Sequence, residues 1–214
     1  ASSGTVTING GEVTGTNGTV DGEAAILVND NVTLTIKGGS VTNAKGNAIS
    51  INGVSSQFTM SGGTVNGRTK GVDMYGGSAE ISSGTIEGGT AINTVGSSIT
   101  ISGGTFDSTT ADKEVVAATT GSTTVAISGG SFKHEVPKVQ CADGYVPCAD
   151  AKNPGRFVKI TTSRMLIKMT TSAVSPHLKY RLSEPRSMRV PPILRCFRYN
   201  VEYHILRKTS RNGI

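Results

Sequence analysis

Residues 99–106 read Ile-Thr-Ile-Ser-Gly-Gly-Thr-Phe, and variants of this octapeptide recur through the first 132 residues. The other copies occupy residues 6–13, 34–41, 58–65, 79–86 and 125–132. Their second glycines, at positions 11, 39, 63, 84, 104 and 130, are 20 to 28 residues apart. A short, strand-rich unit repeated at this spacing is typical of a solenoid.

Apolar and polar residues alternate within each copy. Ile99 and Ile101 therefore fall on one side of an extended chain, and Thr100 falls on the other. The Gly-Gly pair that follows permits positive φ and a sharp change of direction. We expect an apolar residue to re-enter the core after each turn, at Val13, Val41, Val65, Ile86, Phe106 and Phe132.

A second pattern lies between the copies. It reads Ala25-Ile-Leu-Val28, Ala48-Ile-Ser-Ile51, Gly71-Val-Asp-Met74 and Ala91-Ile-Asn-Thr94, with Glu114-Val-Val-Ala117 as a divergent form. Each coil should then contain two or three short strands, stacked about 4.8 Å from the strands of the next coil. The connections are too long and varied for a hairpin meander, and strand twist favours right-handed parallel coiling. The sequence thus predicts an all-β protein, a right-handed parallel β-helix of about six coils, with an antiparallel sandwich or barrel as the alternative.

Three segments follow from the composition. Residues 1–132 form the repeat array, and residues 133–160 are irregular and proline-bearing, as expected of a C-terminal cap whose last strand is Phe157–Ile160. Residues 161–214 are a basic tail with 11 Lys and Arg against 2 Asp and Glu, and they contain 1 of the 28 glycines. We expect the tail to be disordered or non-native, as after a frameshift, while a small separate domain and a basic arm for nucleic acid stay open.

Cysteine spacing and hydropathy give further expectations. A disulfide between Cys141 and Cys148 is geometrically possible, and two part-buried thiols are the alternative. No stretch of 18 apolar residues is present, so we expect no transmembrane segment. The start at Ala1, without Met or a signal sequence, suggests an internal fragment or a processed product.

The repeats and the segment that ends them carry a family resemblance. The "TISGGTF" copies, followed by Cys141-Ala-Asp-Gly-Tyr145 and Gly155-Arg-Phe-Val158, resemble repeat regions of large bacterial secreted or cell-surface proteins. The resemblance covers residues 4–160 and implies a pectate-lyase-like right-handed parallel β-helix. It is specific for architecture and weak for activity, because this fold hosts lyases, hydrolases, adhesins and phage spikes.

Few residues fit a catalytic role. A lyase or a hydrolase of this fold needs carboxylates stacked on successive coils. The outward positions of the first strand hold one carboxylate, Glu80, and the predicted outward row Leu27, Ser50, Asp73 and Asn93 holds another. Asp73, Lys70 and Glu80 are therefore the catalytic candidates, with solvated surface charges as the alternative. The sequence favours a protein that is not an enzyme.

Binding candidates lie on the same outward rows. Rows of hydroxyls on a flat sheet could contact glycans, and Tyr75 is an aromatic side chain beside the second row. The candidates are Thr35, Thr59, Thr100, Asp73, Tyr75 and Asn93, although Thr and Ser are also ordinary solvent-facing strand residues. Loop oxygens of Asp107, Asp112 and Glu114 could hold Ca²⁺, and no other cofactor is expected.

These observations favour a non-catalytic, extracellular stalk or adhesin-like module of a bacterial surface protein. Its expected partners are glycans or neighbouring surface modules, and nucleic acid is not expected. The first alternative is a fragment of a carbohydrate-active enzyme, either a polysaccharide lyase or a glycoside hydrolase. The second is a segment of a phage tail spike or fibre.

Overall fold

The computed structural model is a parallel β-solenoid of about five turns, and it describes residues 3–16, 23–110, 114–119, 122–150, 153 and 157–161. Each coil places one strand on each of three faces. The predicted fold class is therefore confirmed, and the antiparallel sandwich is excluded because every pairing between repeat strands is parallel.

The first face contains the strand that begins each octapeptide. Its members are β1 (Gly4–Ile8), β4 (Val32–Ile36), the first part of β7 (Gln57–Gly67), the first part of β9 (Ser78–Gly88), β11 (Ser98–Ile101) and β14 (Thr124–Ile127). Their register aligns the octapeptides, so that Val6 pairs with Leu34, Leu34 with Phe58, and Phe58 with Ala79.

The second face follows the Gly-Gly corner. It consists of β2 (Glu12–Gly15), β5 (Ser40–Asn43), the second parts of β7 and β9, β12 (Thr105–Ser108) and β15 (Ser131–Phe132). The second glycine of every copy has positive φ, between 80° and 106°. This conformation is accessible to glycine at little cost, and it turns the chain from the first face to the second.

The third face contains the strand that the second sequence pattern predicted. Its members are β3 (Ala24–Asn29), β6 (Asn47–Asn52), β8 (Lys70–Tyr75), β10 (Thr90–Val95) and β13 (Val116–Ala118). The first two faces have six strands each, whereas the third has five among the described residues. The sixth octapeptide does not complete its coil, because the chain leaves the array after β15. The count of about five turns is thus close to the expected six coils.

The core is a column of aliphatic and phenylalanine side chains. The predicted inward residues of the middle coils are almost completely buried, including Leu34, Phe58, Met60 and Ile99. The corner position is filled by an aliphatic side chain in the early coils and by stacked rings at the end, where the centroids of Phe106 and Phe132 are 4.9 Å apart. Aliphatic side chains and a few phenylalanines thus fill the narrow core, although aromatic residues make up only 5% of the chain.

An irregular cap covers the C-terminal end of this column, as predicted. A 3₁₀ turn at Lys138–Gln140 lies at the end of the array, and Gln140 Nε2 donates to the Val116 carbonyl at 3.0 Å. The last strands, β16 (Tyr145–Ala149) and β17 (Phe157–Thr161), pair antiparallel with each other, and β17 pairs antiparallel with β15. The predicted final strand is therefore confirmed, and the tail beyond Thr161 lies outside the described residues.

The proposed bond between Cys141 and Cys148 is not formed, because Cys141 is a free thiol. Cys141 extends the parallel stacking through a bridge to Ile127, and its Sγ faces the Pro137 carbonyl at 3.7 Å. Cys148 lies in β16 and pairs with Val158 in the antiparallel hairpin. The two cysteines therefore belong to different parts of the cap.

Replacing the first glycine of a Gly-Gly pair, which we call the first corner glycine, tests how closely adjacent coils approach each other. A Cβ at Gly38 would lie 2.7 Å from the carbonyl oxygen of Asn9 in the preceding coil, whereas a Cβ at Gly10 would meet nothing within 4 Å. We expect Gly38→Ala to lower the free energy of unfolding by about 2–3 kcal/mol through backbone displacement. The matched control Gly10→Ala should change it by less than about 0.5 kcal/mol. Equal effects in chemical denaturation would contradict this account of the corner.

Candidate functional site

The predicted threonine row is confirmed on the first face. Parallel pairing aligns Thr7, Thr35, Thr59, Glu80, Thr100 and Ala126 on successive coils. All these positions are at least partly exposed. The row therefore presents hydroxyl groups at the coil spacing of about 4.8 Å, interrupted by the carboxylate of Glu80.

Serines beside this row interact with the backbone of the preceding coil. Ser82 Oγ donates to the Met60 carbonyl at 3.4 Å, and Ser128 Oγ donates to the Ile101 carbonyl at 3.3 Å. Ser102 makes the equivalent contact with Ile81 at 3.5 Å. These serines link adjacent coils, so the threonine row is the part of this face better suited to contact a ligand.

The predicted polar row of the third face is also in register. Leu27 pairs with Ser50, Ser50 with Asp73, and Asp73 with Asn93. Only part of this row is open to solvent, because Ser50 is buried and Asp73 is 2% exposed. Neighbouring polar side chains cover Asp73, which the sequence placed on an outward face.

A network of hydrogen bonds surrounds the Asp73 carboxylate. Oδ2 accepts from Lys70 Nζ at 2.8 Å and from Asn47 Nδ2 at 3.1 Å, and Oδ1 accepts from Asn93 Nδ2 at 2.7 Å. Asn47 Nδ2 also lies 3.2 Å from Ser50 Oγ, while Asn47 Oδ1 accepts from the Thr69 hydroxyl. Residues from three successive coils therefore fix one carboxylate.

The Lys70–Asp73 contact is an ion pair between a covered and a partly open side chain. The side chain of Asp73 is 3% exposed and that of Lys70 is 27% exposed. An ammonium and two amides compensate the desolvated carboxylate, as a buried charge requires. The arrangement suits a carboxylate that positions its neighbours, because a substrate has little access to its oxygens.

Tyr75 lies next to this network on the same face. It follows Asp73 by two residues in β8, and it is 49% exposed. Asn52 and Val95 flank it on the adjacent coils. We refer to Asn52, Lys70, Asp73, Tyr75 and Asn93 as the third-face patch. It combines an open aromatic ring with amide, ammonium and carboxylate groups.

The three catalytic candidates do not come together. Lys70 and Asp73 are in contact on the third face, whereas Glu80 lies on the first face between Thr59 and Thr100. The chain turns through a corner between these faces. Asp73 and Glu80 therefore do not form the pair of carboxylates that a glycosidase uses.

The structure describes two of the three metal candidates, and they lie in different segments. Asp107 lies in β12 on the second face, Glu114 precedes β13, and Asp112 lies outside the described residues. The described ranges contain no group of three or more His, Cys, Asp or Glu residues that could hold a metal ion. Calcium binding by Asp107, Asp112 and Glu114 stays a prediction.

A carboxylate pair that the sequence reading missed is present on the second face. The outward row there is Thr14, Thr42, Asn66, Glu87 and Asp107, and Glu87 pairs directly with Asp107 on the next coil. Asn66 Nδ2 donates to Glu87 Oε2 at 3.3 Å. The sequence could have indicated this row. Each of its members directly follows the apolar residue that re-enters the core after the Gly-Gly turn, and alternation along a strand turns that next residue outward.

Comparison with known protein families, with curated proteins and with solved structures finds no match for this chain. The described part of the chain also has no helix with the length and apolar character needed to cross a membrane.

Neutralising the buried carboxylate tests the ion pair. In Asp73→Asn, the amide would present an N–H to a surrounding set of donors and leave the Lys70 ammonium without its counter-ion. We expect the free energy of unfolding to fall by about 2 kcal/mol, less than for a fully buried pair because Lys70 can reach water. The exposed control Glu80→Gln should change it by less than about 0.5 kcal/mol. Similar urea midpoints for both variants would show that the network contributes little.

Proposed function

We propose that this chain is a non-catalytic, extracellular stalk or adhesin-like module of a bacterial surface protein, and that it binds glycans on its third face. The solenoid supports a display role because each coil is held by its neighbours along an extended axis. The resemblance of the repeats to those of bacterial surface proteins supports the extracellular location.

The observation that carries the glycan proposal is the exposed Tyr75 ring beside an ordered set of polar groups. An aromatic face offers apolar contact to the C–H side of a sugar ring, while amides and charged groups bind its hydroxyls. The Asp73 network holds Asn93 and Lys70 in place on the same face as Tyr75. Such fixed side chains lose little entropy when a ligand binds.

The threonine row provides a second, weaker contact surface. Thr35, Thr59 and Thr100 repeat along the first face, so a chain-like ligand could meet equivalent hydroxyls on several coils. This face has no exposed aromatic residue in its described strands. We therefore assign the main contribution to Tyr75 and the third-face patch.

Removing the aromatic ring tests the assignment. We expect Tyr75→Ala to weaken glycan binding by about tenfold or more, because the ring supplies the apolar contact. The control is Leu27→Ala, which removes an exposed apolar side chain from the same face two coils away. A glycan array would identify the ligand for the parent chain, and titration of both variants would give the affinities.

Two results would contradict the proposal. Unchanged binding in Tyr75→Ala would exclude the third-face patch, and Thr59→Val would then test the first face. Absence of glycan binding by the parent chain would leave a purely structural stalk.

A carbohydrate-active enzyme is the second candidate, and the Glu87–Asp107 pair favours it. Carboxylates on adjacent coils of a parallel solenoid have backbones about 4.8 Å apart. Backbones this close allow the two carboxyl groups to take the separation used in acid–base catalysis, or to share a cation. Asn66 would orient Glu87 through its hydrogen bond.

Glycan cleavage with the parent chain and Glu87→Gln tests this candidate. If the pair is catalytic, the substitution should reduce the rate by about 100-fold or more, since it removes a proton-transferring group. Glu12→Gln, which changes an exposed carboxylate on the same face, should have no effect. Lack of cleavage by the parent chain, with and without Ca²⁺, would exclude the enzymatic function.

A further inference from the structure

The two ends of the solenoid differ. At the C-terminal end, the 3₁₀ turn and the β16–β17 hairpin cover the last coil, and Val136 is buried there. At the N-terminal end, β1, β2 and β3 are each the last strand on their face among the described residues. Each of these edge strands can therefore accept one more strand.

The first coil also leaves its inward side chains incompletely covered. Val6 is 48% exposed, whereas its equivalents Leu34 and Phe58 are 0% and 1% exposed. Ile8 and Val13 are partly exposed in the same way, although Ile36 and Val41 are fully buried. The apolar column of the core thus reaches the surface at this end.

The corner glycines indicate what kind of segment would fit against this end of the solenoid. The first corner glycine of a later coil is packed against a carbonyl oxygen of the preceding coil, as Gly38 is against Asn9 and Gly62 is against Lys37. The same contact recurs at Gly103 and Gly129, and the fourth coil has Ser83 there, at a local shift of register. Gly10 has the same place in the motif, yet a Cβ at Gly10 would meet nothing.

The edge strands lack the usual protection against pairing. β1 and β3 contain neither a charged residue nor proline, and β2 contains one charged residue, Glu12. Exposed edges of soluble proteins commonly carry such residues, or are covered, because they otherwise pair with another strand. The N-terminal edge therefore has the chemistry of a surface that pairs.

We propose that the N-terminal end of this solenoid is a docking surface for one further parallel coil of the same repeat, with one strand on each face. Such a coil would pair with β1, β2 and β3, bury Val6, Ile8 and Val13, and place a carbonyl oxygen against Gly10. A second copy of the chain fits less well. Its C-terminal edge is capped, and two N-terminal edges would pair antiparallel, without the parallel register that brings a carbonyl to the glycine.

A fusion tests the proposal directly. In register, Thr5 corresponds to Thr33 and to Gln57, so a copy of residues 33–56 placed directly before Thr5, in place of residues 1–4, continues the repeat. We expect a higher thermal midpoint than in the parent chain. Amide exchange in β1, β2 and β3 should slow by about tenfold or more, because these strands are no longer at the edge.

Gly10→Ala distinguishes docking in the repeat register from nonspecific contact. It should leave the thermal midpoint of the parent chain unchanged, and it should abolish the gain in the fusion, because the new Cβ would meet a carbonyl oxygen. A control fusion with Ser at the copied positions of Leu34, Ile36 and Val41 should show no gain. The proposal is overturned if the copied coil exchanges freely, or if Gly10→Ala is equally neutral in both chains. It is also overturned if sedimentation shows a dimer of the parent chain with protected β1 amides.

Discussion

The close approach of each coil to the backbone of the one before is the constraint on which the structure depends. At the corner between the first and second faces, carbonyl oxygens of one coil occupy the space that a Cβ of the next would need, as Asn9 does at Gly38. The second glycine then takes a positive φ and turns the chain. A Cβ at this place would disturb the hydrogen-bonded spacing of the strands on either side, and the coil that has Ser83 here shows a local shift of register. The recurring glycine corner therefore determines where each coil turns and how closely it approaches the preceding coil, and the apolar side chains fill the interior of the coils.

The same stacking determines where polar chemistry can occur. Parallel register converts one position in the repeat into a row along a face, so each outward side chain has a neighbour about 4.8 Å away on each side. Threonine and serine give rows of hydroxyls. Where a charged residue in a row is buried, its neighbours must compensate the charge, and Lys70, Asn47 and Asn93 from three coils do so for Asp73. A polar patch on this fold is thus formed by residues of successive coils, as Asn47 and Asn93 are 26 and 20 positions from Asp73 in the sequence.

The third-face patch and the N-terminal end illustrate two different uses of the solenoid surface. The patch is a local departure from the repeat, since the described third-face strands of the neighbouring coils have Asn29, Asn52 and Val95 at the place of Tyr75. The N-terminal end, in contrast, follows the repeat. Its strands, its core residues and Gly10 have the same arrangement that packs against a preceding coil elsewhere in the array. The display module that we propose would combine both, with binding groups on a lateral face and a stacking surface on the axis.

The sequence by itself determined the architecture, because a single octapeptide carries the period-two alternation, the glycine corner and the returning core residue. Inward residues such as Leu34, Met60 and Phe106, the outward threonine row and the final strand could all be read from it. Only the tertiary structure decided that Asp73 is covered, that Cys141 stays a free thiol and that Glu87 is paired with Asp107. The physical reason is that alternation fixes which side of a strand a residue occupies, whereas burial and pairing depend on side chains from neighbouring coils and on the register that joins them.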